Sequence, residues 1–205
     1  MIIFLRHGQA ENNTKKILAG RTPGINLTEQ GKEQAEQAGE MIKSLNISAI
    51  YSSPIDRAMQ TAEIVGKHCD VKPILDDRLI ELDMGKFTMM PYDEIFASHG
   101  NVFLKFYEGS LEISHNGVES FAEVQKRVFD IVDFIKNEHK GENVVLVTHM
   151  DPIKAMIGKV LSLKPEILFQ LIIANASLNI FKYDDQNLYL SSINSMNSSR
   201  FHETF

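Results

Sequence analysis

The 205-residue chain has a single cysteine, Cys69. One thiol cannot close an internal disulfide, so a reducing compartment is the expected home. Long apolar runs are missing too, and no stretch approaches the roughly 20 residues that a membrane-spanning helix needs. Positive charge is in deficit: 21 Lys and Arg face 27 Asp and Glu, for a net charge of −6. That balance argues against a sequence-independent grip on nucleic acid or on an anionic membrane. An acidic chain that binds an anion must therefore gather its few cations in one place. The N-terminal MIIFLRHG has no basic leader and only a handful of apolar residues before Arg6. It reads as a strand, not a signal peptide. A soluble, cytoplasmic protein without membrane or nucleic-acid partners is expected.

What is present is an ordinary globular composition, 43% hydrophobic and 23% charged, enough for one domain over residues 1–205 with a sizeable core. Residues 2–5 form a short apolar run that stops at Arg6, and Ala49–Ser52 is a second candidate strand. From Thr28 to Leu45, apolar residues recur at helical spacing. Pro54 suits the first turn of a helix that Ala58, Ala62 and Val65 carry onward. Ile74–Leu75 is a brief strand. Residues 91–107 read as two short helices broken at His99-Gly100. Ser120 with Glu123 forms a capping box ahead of a long helix. Asn143–Thr148 is the most apolar strand, buried on both faces. Pro152–Leu161 is helical, and Leu178–Tyr183 with Leu188–Ile193 make an edge hairpin. Strands alternating with helices predict an α/β fold, with a mostly parallel central sheet. The Ser- and Asn-rich stretch 194–205 reads as a loose tail.

In open α/β sheets, ligands bind beyond the carboxyl ends of the strands. Two candidate strands end in histidine, at Arg6-His7-Gly8 and at Thr148-His149, and a third leads into the helix bearing Arg57. Two imidazoles and two guanidiniums on one rim make an anion site with a nucleophile in it. Phosphoryl transfer through histidine needs a neutral imidazole nitrogen, arginine forks on the equatorial oxygens, and a proton donor for the leaving oxygen. His7 and His149 have no acidic residue nearby at metal-ligand spacing and Cys69 stands alone, so no metal and no cofactor is expected. Bland readings exist for each residue. A lone histidine can simply end a strand, and Arg57 can be a solvated helix residue, although a first-turn arginine faces the wrong end of the helix dipole. The other five histidines (His68, His99, His115, His139 and His202) read as surface residues. Met84, Met89 and Met90 can line a pocket or fill core gaps.

Five segments in order carry a resemblance. RHGQAENN with LAGRTPGINLTEQGKEQA, then YSSPIDRAMQTAEI, RLIELDMGKF, GVESFAEVQKRV and VVLVTH together resemble the histidine phosphatase superfamily, the phosphoglycerate mutase-like clan. The likeness runs from Ile2 to about Ile193 and implies a three-layer α/β/α sandwich. It implies His7 as the phosphorylated nucleophile, with Arg6, Arg57 and His149 on the phosphoryl oxygens and Asn13 assisting. Glu81 would be the proton donor and acceptor, with Asp83, Glu94 and Glu119 as competing carboxylates. Gly20 and Arg21 would line the mouth. The chain departs from the family pattern at Gln9-Ala10 and at Met150-Asp151-Pro152. Met150 would narrow the pocket, and Asp151 would repel an acidic substrate or pair with a cationic one.

Three functions follow as expectations. The first is a metal-independent phosphatase acting on a small phosphorylated metabolite. The second is a cofactor-dependent phosphoglycerate mutase, which in the family carries paired arginines in a longer insert. Here the substrate-side insert, residues 86–116, contains no arginine. The third is an anion-binding module without catalysis, or a relative acting on phosphorylated protein. The edge hairpin is also compatible with a homodimer.

Overall fold

A computed structural model describes residues 1–110, 115–184 and 186–196. Six strands form one sheet in the order β3-β2-β4-β1-β5-β6: β1 Ile2–Arg6, β2 Ile47–Ser52, β3 Ile74–Leu75, β4 Asn143–Thr148, β5 Leu178–Tyr183 and β6 Leu188–Ser195. The strands β3, β2, β4 and β1 are parallel, and the β5–β6 hairpin closes the sheet antiparallel to β1. The helices are α1 Glu11–Lys15, α2 Glu29–Ile42, α3 Asp56–Cys69, α4 Tyr92–His99, α5 Val102–Tyr107, α6 Phe121–Glu138, α7 Met150–Val160 and α8 Pro165–Gln170.

Strand periodicity sorts the core into two halves. Ile3 and Leu5 of β1, with Val145 and Val147 of β4, pack on α2 and α3 through Ala38, Ile42, Ala58, Ala62 and Val65. Ile2 and Phe4, with Val144 and Leu146, face α6 and α7 through Val124, Val128, Ile131 and Ile153. The result is the three-layer α/β/α arrangement, with β1 and β4 buried on both faces. Among the described residues, no helix is long and apolar enough to cross a membrane.

The local expectations meet three adjustments. The third helix starts at Asp56, two residues past Pro54, because Ile55 is still extended at φ −70° and ψ 132°. The helix after β4 starts at Met150, ahead of Pro152. Proline is tolerated there because a first-turn N–H has no partner within the helix. Asn194 and Ser195 belong to β6, not to a tail, while residues 197–205 lie outside the described residues. So do residues 111–114 of the insert.

Candidate active site

The carboxyl ends of β1, β4 and β2 lie side by side, with Arg6 paired to Thr148 and Ser52 to Val147. Each strand therefore delivers the residues that follow it to one rim: His7, His149 and Ser53. His7 is 2% exposed. Its Nδ1 lies 2.7 Å from the Gly8 carbonyl, and its Nε2 lies 3.2 Å from Arg57 Nε. A carbonyl only accepts and a guanidinium only donates, so both contacts require one tautomer. The proton is on Nδ1, and Nε2 presents a lone pair. Burial, then Arg57 and Arg6, hold the His7 pKa well below the usual imidazole range, against a smaller opposite pull from the Gly8 carbonyl. The ring stays neutral at physiological pH.

Arg57 is also 2% exposed, and its Nη2 donates to Gly20 O at 2.8 Å. Gly20 takes φ +50° to present that carbonyl. Arg6 donates from Nη1 to Ile173 O. Among the described residues, Arg6 Nε, Arg57 Nη1 and His149 Nδ1 are buried without a hydrogen-bond partner. Leaving buried donors unsatisfied costs about 1–3 kcal/mol each, so the two arginine N–H groups beside one histidine suit an anion.

His149 is fully buried behind His7, with ring centroids 5.1 Å apart. Its Nε2 lies 2.9 Å from Ser53 Oγ. Burial first, then Arg57, keeps its pKa well below the ordinary value. Asn13 borders the cavity, and its Oδ1 accepts from Ala10 N at 2.9 Å and Asn175 Nδ2 at 3.3 Å.

Glu81 stands on the cavity wall with Oε1 accepting from Leu82 N at 2.8 Å. Burial first, then the charge of Asp151, raises its pKa to about 7, with Arg57 and Arg6 pulling the other way. A carboxyl tuned to that range is suited to exchange a proton near neutral pH. Of the competing carboxylates, Glu119 and Asp83 lie against Arg21 at 2.8 and 3.5 Å, and Glu94 is exposed on α4. None of these three borders the cavity.

The cavity encloses about 440 Å³ including its open mouth and brings together Arg6, His7, Asn13, Gly20, Arg57, Glu81 and Met150. Arg21 is not in its lining. It donates from Nε to Glu81 O at 2.8 Å and pairs with Glu119, which also binds Arg127. Arg127 in turn donates to Arg78 O and Ile80 O at 2.9 and 2.7 Å. The two arginines thus clamp the backbone that carries Glu81. The insert supplies a wall through Tyr92 and Phe103, and Met84 lines the same cavity while Met89 is exposed.

Sequence reasoning missed Ser53, Thr61 and Asn175. Thr61 Oγ1 accepts from Gly8 N at 3.1 Å, and Asn175 Nδ2 donates to His7 O at 3.2 Å. Ser53 was findable as the residue after a strand ending at the common rim. Asn175 carried no comparable signal. Of the other histidines, His68, His99, His115 and His139 are away from the cavity, and His202 lies outside the described residues. Among the described residues, no three His, Cys, Asp or Glu side chains gather to hold a metal ion.

This geometry sets unpartnered arginine donors beside a neutral, buried histidine at the carboxyl ends of the strands of an α/β sheet. The family model described as the histidine phosphatase superfamily, branch 1, matches residues 2–196, and the chain belongs to that superfamily. A 2,3-bisphosphoglycerate-dependent phosphoglycerate mutase from Thermoplasma acidophilum is 36% identical over 180 residues, 87% of this chain and 84% of the relative. Phosphoserine phosphatase 1 from Hydrogenobacter thermophilus is 27% identical, covering 94% and 91%. Among solved structures, the mycobacterial glucosyl-3-phosphoglycerate phosphatase complexed with VO3 superposes with a TM-score of 0.84 at 27% identity, covering 95% of this chain and 98% of that one.

Proposed function

We propose that the protein is a phosphatase that hydrolyses small phosphate monoesters through a phosphohistidine on His7, with Glu81 as general acid and base. The observation that carries this reading is the fixed tautomer of His7, whose Nε2 lone pair accepts from Arg57 Nε beside the unpartnered arginine donors Arg6 Nε and Arg57 Nη1. The phosphoryl oxygens engage Arg6, Arg57 and His149, and Asn13 assists. Engaging the Arg57 donors frees the Nε2 lone pair for in-line attack on phosphorus. The P–N bond forms as the ester P–O bond breaks, and the leaving alkoxide takes the proton of the Glu81 carboxyl. Water then attacks the phosphohistidine and gives a proton to the Glu81 carboxylate. The P–N bond breaks, and inorganic phosphate leaves a neutral His7. The arginines supply the charge stabilisation, so the scheme requires no metal.

Phosphoglycerate mutase is the second reading, favoured by the Thermoplasma acidophilum relative. Against it stands the insert, residues 86–116, which contains no arginine and has Lys86 and Lys105 in place of an arginine pair. Phosphorus NMR of a panel of phosphorylated metabolites in EDTA separates the two. The expected result is release of inorganic phosphate from one or a few esters, lost in His7→Ala. Isomerisation of 3-phosphoglycerate with a bisphosphoglycerate primer, without phosphate release, would replace the phosphatase by the mutase.

A further inference from the structure

Asp151 sits at the second position of α7, only 7% exposed, at the edge of the same cavity. Its Oδ1 accepts from Tyr107 Oη at 2.6 Å. Lys154, one turn further on, donates from Nζ to that phenol oxygen at 3.2 Å, and its ammonium lies 5.0 Å from the ring centroid. The phenol therefore accepts from Lys154 and donates to Asp151. Burial and then Asp151 hold its pKa well above the usual phenol range, so it remains a donor. The helix N-terminus adds a favourable partial positive charge to the Asp151 carboxylate.

These contacts orient Asp151 through one oxygen only. Oδ2 has no hydrogen-bond partner among the described residues and is not sealed from solvent. Asp151 lines a cavity whose lining cations, among the described residues, are Arg6 and Arg57, both grouped around His7. The same lining includes the apolar side chains of Leu18, Met84, Phe103 and Met150 and the Tyr92 phenol. An ester that fills the cavity removes water from Oδ2 and must replace it with a donor, or leave a carboxylate unpaired. A carboxylate on the ester would meet the Asp151 carboxylate, while Lys154 is engaged by Tyr107 and Arg6 belongs to the group around His7.

We infer that Asp151 is a specificity-determining residue, oriented by Tyr107 and Lys154, and that the esters it selects carry an ammonium group on their alcohol portion. The inference rests on the phosphatase reading and adds the substrate class to it. The negative charge of Asp151 also lifts the Glu81 carboxyl, so its test must compare esters and not overall activity.

Three monoesters of similar size isolate the effect: O-phosphoethanolamine with an ammonium, propyl phosphate with a methyl, and phosphoglycolate with a carboxylate. Wild-type kcat/KM should fall in that order by about tenfold per step, the scale of one charge-assisted hydrogen bond. The wild-type to Asp151→Asn ratio, taken ester by ester, cancels differences in leaving-group chemistry. Asp151→Asn keeps the acceptor for Tyr107 and should compress the order to within about threefold. Tyr107→Phe, which leaves the charge but not its orientation, should keep the order and shrink the steps. Wild-type rates within threefold of each other, or an undiminished spread in Asp151→Asn, overturn the inference. Turnover of p-nitrophenyl phosphate without the order sinks the inference alone. If none of the four esters is hydrolysed, the phosphatase reading falls and the inference with it.

Discussion

At Glu81, stability and function pull in opposite directions. Its pKa, raised from an ordinary 4.5 to about 7, means that the folded protein holds a proton there that the unfolded chain has already lost. Stability from this group is therefore full below about 4.5 and declines as pH rises towards 7. In the proposed scheme the same proton goes to the leaving alkoxide, so kcat/KM should fall as pH rises through about 7 in a pH–rate profile on alkyl esters. His7 contributes no fall in that window, because its pKa lies well below the ordinary imidazole range. Glu81→Gln keeps an acceptor for Leu82 N and removes the charge. We expect it to cut turnover of alkyl phosphates by about 10²–10⁴-fold, the usual worth of a general acid, with a smaller loss on p-nitrophenyl phosphate. At pH 8 the same variant should gain about 2–4 °C in Tm by calorimetry, corresponding to about 1 kcal/mol. Equal losses on both ester types, or a lower Tm, would remove Glu81 from the role of acid. The family resemblance favours Glu81 over Asp83, Glu94 and Glu119, but the residues by themselves give no reason to set the rivals aside. That Arg21 is drawn to Glu119 and Asp83 is a tertiary fact.

The elements were legible wherever a period of 3.6 or 2 ran long enough to count. The spacing along α2, the Ser120–Glu123 capping box and the apolar run of β4 all fold as read. The five-residue α1 and six-residue α8 were not, because one turn and a half holds too few apolar repeats to show a face. The LTEQG segment owes its resemblance to a close crossing of two backbones. Thr28 caps α2 by accepting from Gly31 N at 3.0 Å, and its hydroxyl donates to Gln9 Oε1 at 2.9 Å. A Cβ at Gly31 would stand 1.9 Å from Gln9 O, and one at Gly8 would stand 2.3 Å from Gly31 O. The helix start and the loop leaving His7 can touch only as glycine against backbone. Gly31→Ala should therefore push that loop away, lowering stability by about 1–3 kcal/mol in urea unfolding, as overpacking does elsewhere. The proposed ester hydrolysis should drop with it, because His7 takes its orientation from that loop through Gly8. A variant as stable and as active as wild type would show that the crossing relaxes freely.

Across the whole molecule, an acidic chain concentrates positive charge at one sheet edge, and strand order is what does it. Insertion of β4 between β1 and β2 sets His149 beside His7, and the loop after β2 starts the helix that returns Arg57 to both. Residues 6, 7, 57 and 149 could be named from the sequence as strand ends and a helix start, but their adjacency belongs to the topology. Their donors include Arg6 Nε and Arg57 Nη1, which are buried and unpartnered, so an anion that binds there stabilises only the folded state. Inorganic phosphate should consequently raise Tm in proportion to the logarithm of its concentration. At one hundred times Kd the gain is about 2.7 kcal/mol, or roughly 5–10 °C for a chain of this size. Potassium chloride at matched ionic strength should not reproduce the rise, since screening weakens exposed ion pairs and supplies no oxygens to buried arginines. Arg57→Ala should lose most of the phosphate-linked increment while still unfolding in one transition. If chloride matches phosphate, or Arg57→Ala keeps the full increment, the unpartnered donors are not an anion site and the phosphohistidine scheme loses its foundation.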